Sequence, residues 1–164
     1  MTAKSRALAQ RIRRELADLE RAVGAVGRHW ERSQSEASDS DAFLNSVALN
    51  LHGFYNGTER VMELVAVGVD GAALGGEAWH RELLEQMRLE IPAVRPAVIS
   101  PETRGELDEY RRFRHCVRNT YAADLRPAQL QPLVERLPST WAGLERELLA
   151  FADFLDSLET DPTS

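Results

Sequence analysis

One cysteine, Cys116, is all the thiol chemistry available to this chain of 164 residues. An internal disulfide is therefore impossible, cysteine cannot furnish a zinc site, and the redox compartment is not encoded. The N-terminal region has no apolar run suited to a signal peptide, and no stretch reaches the roughly 20 residues needed to cross a bilayer. A cytoplasmic protein without a membrane segment is the expectation. GxxxxGK is missing, as is a strand leading into GxGxxG, so no nucleotide cradle is indicated. His52, His80 and His115 are a conceivable metal set, but HExxH and comparable ligand pairs are lacking. Neither a metal nor a cofactor is expected. No segment alternates as a strand would, and no internal repeat is visible.

What is present has the ordinary balance of a folded soluble protein, with 43% hydrophobic residues. The length predicts one domain over residues 1–164 with a real core. The formal net charge is -6, which argues against broad, sequence-blind binding to nucleic acid but leaves room for a small positive cleft. The charge is uneven. Residues 1–32 carry eight Lys or Arg against four acids, whereas residues 140–164 carry one Arg against six acids. Such asymmetry suits surfaces that meet through opposite charge.

Helical periodicity runs through the chain. Leu8, Ile12, Leu16, Leu19, Val23, Val26 and Trp30 predict a helix over about 4–32, and Phe43, Val47, Leu51, Phe54, Met62 and Val65 another over about 41–68. Asp39, Ser40 or Asp41 is placed to cap the second. That helix carries a polar strip of His52, Tyr55, Asn56 and Glu59, and Gly53 and Gly57 permit close backbone approach. Trp79, Leu83, Leu84 and Met87 predict a third helix over about 77–91, which Pro92 and Pro96 stop. Ser100 and Pro101 open a fourth, predicted over about 101–124 and packed centrally. A short helix to about Arg136 and a long one from Pro138 to about Leu158 complete the reading. The expected fold is all-α, an antiparallel bundle of five or six helices.

Chemistry concentrates in DEYRRFRHCVRNTYAADL, Asp108 to Leu125. On a helix, Tyr110, Phe113, Val117 and Tyr121 form an aromatic and apolar seam, with Arg111, His115 and Arg118 on an adjacent stripe and Arg114 between the two. Such a helix can anchor itself and still offer cations to a cleft.

YRRFRHCVRNTYAADL, together with LVERLPSTWAGLERELLAF and GGEAWHRELLEQMRLEIPAVRP, resembles the HepT-like family, best from Leu49 to Leu158. The resemblance implies a helical, commonly homodimeric ribonuclease toxin, encoded beside a minimal nucleotidyltransferase antitoxin that silences it by attaching AMP to a tyrosine. The family signature is an Arg, four to six residues, a His, one residue and a Tyr. Arg114 and Tyr121 match its ends, so the resemblance assigns Arg114 to RNA cleavage and Tyr121 to modification. The histidine position holds Asn119, whose amide does not titrate near neutrality.

Another register offers a proton carrier. His115 borders the region of Arg111, Arg114 and Arg118, and Asn119 can then orient phosphate or a base. Metal-free RNA cleavage needs a base for the 2′-hydroxyl, an acid for the leaving oxygen and cations for the phosphorane. His115 supplies the first, and Arg111, Arg114 and Arg118 the last. A homodimer with its basic clefts brought together would supply the second histidine. The plain alternatives are that these arginines pair with acids of the last helix, that His115 bonds within the bundle and that Tyr121 is a core aromatic. The competing functional class is a non-catalytic subunit that binds the nucleotidyltransferase and presents Tyr121 as an acceptor.

Overall fold

A computed structural model describes residues 2–119 and 125–158, excluding the side chains of Thr2, Cys116, Arg118 and Asn119. Its elements are α1 (Thr2–Ser35), a 3-10 turn (Ala37–Asp39), α2 (Ser40–Gly68), α3 (Trp79–Arg88), α4 (Pro101–Asn119) and α5 (Pro127–Ser157). Among the described residues the fold is an antiparallel bundle of five helices, with one isolated bridge, Ile91 to Arg95, instead of a sheet.

The apolar stripes drive the assembly. Ile12, Leu16, Leu19 and Val26 of α1 are buried, as are Val47, Leu51, Phe54, Met62 and Val65 of α2. Leu144, Leu148, Phe151 and Leu155 of α5 close the other side. A Cβ added at Gly57 would stand 2.7 Å from Leu19 Cδ2. The missing side chain is thus what lets α1 approach α2, whereas Gly53 faces open space. Arg13 of α1 pairs with Asp153 and Asp156 of α5 at 2.9 and 2.7 Å, so part of the charge asymmetry is satisfied within the chain.

Several boundaries differ from the sequence-based expectations. The helix at the centre is α2, which packs against each of the other four helices, while α4 lies mainly against α2, α3 and α5. Asp39 makes no side-chain cap; the chain instead winds into α2 through the 3-10 turn, and the Ser40 hydroxyl donates to Ser33 O at 3.1 Å. The third helix ends at Arg88, where Leu89 turns to extended backbone with a ψ of 139° and its N–H donates to Gln86 O. α4 starts where the Ser-Pro pair predicts, and Ser100 Oγ accepts from the Thr103 N–H at 3.1 Å. The expected short helix and long last helix are one helix that runs through Pro132 and Pro138. A proline inside a helix costs about 3 kcal/mol, yet Leu133, Val134, Leu137, Trp141 and Leu144 bury one continuous face across Pro138, and their combined burial outweighs it.

The segment around α3 is held by a buried ion pair. Arg95 and Asp70 have side chains 0% and 5% exposed, with Nε to Oδ1 at 2.6 Å and Nη2 to Oδ2 at 2.8 Å. The same guanidinium donates to the carbonyls of Leu89, Pro96 and Gln86, and Gln86 Nε2 donates to Asp70. Val98 and Ile99 donate back to Met87 O. This network ties the end of α2 to the end of α3, and with it the position of α3 beside α4.

Candidate functional site

The Tyr110 and Phe113 side chains are buried, and the Tyr110 hydroxyl donates to Leu133 O at 2.8 Å. Burial pushes that hydroxyl's pKa up to about 12, so it stays a neutral donor. With this edge of α4 anchored on α5, helical spacing turns Arg111, Arg114 and His115 toward α3. They line a cleft of roughly 360 Å³ with Glu77, Ala78, His80 and Arg81.

Neither Arg111 nor Arg114 draws its acid partner from the last helix. Arg111 Nε donates to Asp108 Oδ1 at 2.7 Å, and Arg112 reaches Asp108 Oδ2 at 3.0 Å. Burial alone would raise the Asp108 pKa, but the bond from Arg111 and the charges of Arg111, Arg112 and Arg104 hold it below its ordinary value. Arg111 therefore has its charge part-compensated while its side chain, 23% exposed, still borders the cleft.

Arg114 reaches deeper, where Nη1 stands 3.7 Å from Oε1 of Glu59, a residue of α2 with a side chain 6% exposed. Glu59 Oε2 lies 2.7 Å from His80 Nδ1, so Nδ1 carries the proton and donates it. Arg114 Nη1 lies 3.1 Å from Nδ1 and 3.4 Å from Nε2 of the same ring. An atom this close to both nitrogens cannot lie in the ring plane without colliding with ring carbon. The guanidinium therefore sits over the imidazole face, and neither in-plane lone pair accepts from it. Trp79 stacks on His80 with ring centroids 3.6 Å apart, which leaves it the opposite face. His80 is thus held at one edge by Glu59 and on both faces by Arg114 and Trp79.

Below this pair the Tyr55 side chain is fully buried, and its hydroxyl finds no hydrogen-bond partner among the described residues. Burial first, then the nearby Glu59 charge, pushes the Tyr55 pKa far up, so the hydroxyl stays protonated. The Glu63 carboxyl is raised by burial and then by Glu59. His115 is exposed on α4 and lines the cleft.

The structure brings together Arg111, Arg114 and His115 of the sequence-predicted set. Tyr121 lies outside the described residues, as do the side chains of Arg118 and Asn119. Sequence reasoning placed Glu59 only in a polar strip and considered His80 only as a metal ligand. One signal was available for Glu59: it lies four residues after Tyr55 and three before Met62, on the buried stripe of α2, where a carboxylate needs a partner. Nothing in the spacing named His80 as that partner. Among the described residues no group of three or more His, Cys, Asp or Glu is arranged to hold a metal ion, and no helix is long and apolar enough to cross a membrane.

No curated protein and no solved structure matches the chain. A family model described as HepT-like protein matches residues 46–155, a span from within α2 to the last turn of α5.

Proposed function

The chain belongs to the HepT-like family, and from that premise we propose that it is the toxin of a toxin–antitoxin pair, a metal-independent endoribonuclease that a minimal nucleotidyltransferase silences by attaching AMP to Tyr121. The observation that carries this reading is the cleft between α3 and α4, where Arg111, Arg114, His80 and His115 converge. Two guanidinium groups can bind phosphate oxygens through paired N–H donors, and two imidazoles can move the protons that RNA transesterification requires. All four groups line the same cleft. The acidic chain favours such local capture of one strand over a broad nucleic-acid surface.

The reading needs the 2′-hydroxyl as nucleophile, so DNA of the same sequence should survive. Purified protein free of AMP, incubated with labelled single-stranded RNA and a chelator, should yield fragments ending in 2′,3′-cyclic phosphate. Intact RNA after incubation with folded, unmodified protein would overturn it.

A second reading draws on Asn119, which stands where the family signature has histidine. In it the chain is a non-catalytic subunit that binds the nucleotidyltransferase and serves as the AMP acceptor through Tyr121. Adenylylation without any RNA cleavage by the unmodified protein would favour it. In either reading the chain acts as a homodimer, the form that the resemblance implies. With His80 and His115 bordering one cleft, however, the count of proton carriers no longer demands a partner subunit.

A further inference from the structure

We infer that His80, with Glu59 behind it, is the general base of this cleft, and that His115 is the acid. The inference rests on the ribonuclease reading and deepens it, because the family signature places its proton carrier on α4 and says nothing of α2 or α3. Three observations carry the assignment of His80, and His115 enters as the other imidazole that lines the cleft. The 2.7 Å bond from Nδ1 to Glu59 Oε2 fixes the tautomer and leaves the lone pair on Nε2. The two nitrogens of an imidazole diverge, so Nε2 is turned away from the buried carboxylate. His80 keeps 23% of its side chain accessible and lines the cleft, whereas Glu59 is enclosed at 6%. A buried carboxylate bonded to one nitrogen of an imidazole that itself lines a cleft is the arrangement that orients a proton acceptor and balances the charge it gains.

The ring's electrostatic surroundings are mixed. From α2 it faces Glu59 and Glu63; from α4, Arg111, Arg114 and His115; Arg81 lies on its own helix. Arg114 is a shared element. It lies over His80, approaches Glu59 and borders the space where a phosphate would sit. A phosphate in the cleft would take up donors of Arg114 and draw it toward the reacting group.

His80 Nε2 accepts the 2′-hydroxyl proton while the 2′-oxygen bonds to phosphorus. The bond from phosphorus to the 5′-oxygen breaks, and that oxygen takes a proton from the His115 imidazolium. The products are a 2′,3′-cyclic phosphate and a 5′-hydroxyl. Arg111 and Arg114 offset the charge on the non-bridging oxygens of the phosphorane. His80 and His115 are catalytic residues in this scheme; Glu59 is a positioning residue.

The test uses the full chain free of AMP and labelled single-stranded RNA, with circular dichroism of each variant. His80→Ala should lower the cleavage rate about 10²- to 10⁴-fold, the usual contribution of a positioned base, and added imidazole should restore part of it. Glu59→Gln keeps the volume and an oxygen that can accept from Nδ1, but removes the charge. It should move the acid limb of the pH–rate profile to lower pH, a change that a purely structural role would not produce. If His80→Ala loses its helical spectrum, Glu59→Gln and His80→Gln decide by the same pH profile and rate. Natural protein that cuts RNA, beside a folded His80→Ala within about three-fold of it, would overturn the assignment and leave the ribonuclease reading standing. Natural protein that leaves RNA intact would overturn both.

Discussion

Glu59 and His80 are 21 positions apart in the chain, on different helices, and meet at 2.7 Å. Neither helix alone gives the pair any meaning. α2 buries the carboxylate, α3 brings the imidazole to it, and the Asp70–Arg95 network holds α3 in register with the end of α2. A carboxylate enclosed in the core is costly unless it is bonded. Glu59 is bonded to a histidine that lines the cleft, so the contact that offsets its burial also fixes His80 at the cleft wall.

Arg114→Ala is expected to lower RNA cleavage about 10²- to 10³-fold, as loss of a charge-stabilising donor does in other active sites. The helical spectrum should persist, because His80 still bonds Glu59 and alanine favours the helix. Asn119→His restores the family signature. In a protein already active through His80 and His115 it should change the rate by less than about ten-fold. Cleavage that appears only in Asn119→His would point to the acceptor reading. Both are read on gels of labelled RNA with chelator present.

Tyr121 should gain an adenylyl group when the protein is incubated with its nucleotidyltransferase and ATP. On the ribonuclease reading an adduct of this charge and bulk opposes RNA binding, so cleavage should fall with the extent of modification. Intact-mass measurement of natural protein and Tyr121→Phe checks it. An adduct that persists in Tyr121→Phe places the acceptor elsewhere.

A homodimer is the expected state in solution at micromolar concentration. Light scattering that returns the mass of one 18.4 kDa chain would contradict it.

Asp70→Asn should destabilise the fold by about 3–5 kcal/mol at neutral pH, since it leaves the Arg95 charge buried without its partner. Burial pushes Asp70 up, but the bonds from Arg95 and Gln86 and the Arg95 charge outweigh it, and its pKa lies below the ordinary 3.8. A group lowered on folding stabilises fully above its unfolded value and loses that contribution as pH falls through its folded value. The stability gap between natural protein and Asp70→Asn should therefore be constant near neutrality and narrow only below about pH 4. Urea melts at several pH values measure it.

Pro138→Ala should raise stability by about 1–2 kcal/mol. Alanine regains roughly 3 kcal/mol of helix propensity, and the more flexible unfolded chain offsets up to about 1 kcal/mol, with a further part already absorbed by the present geometry. Pro138 is exposed, so no core packing is lost. A lower thermal midpoint for this variant would mean that the last helix depends on its proline.

The all-helical bundle, its first four helices, the apolar faces and the start of α4 at Ser100–Pro101 were legible from residue order. Each depends on interactions within three or four positions, where the helical period repeats. The fusion of the last two predicted helices was not legible. Local propensity says that Pro138 breaks a helix, whereas the buried face running past it belongs to the whole bundle. The site divided in the same way. Arg111, Arg114 and His115 stand together in the sequence because one helix presents them. Glu59 and His80 join them only through packing. The sequence alone determined which residues can carry charge and protons and which faces must be buried; the tertiary structure decided which of them meet, because contacts between helices depend on crossings and loop anchors with no period in the chain.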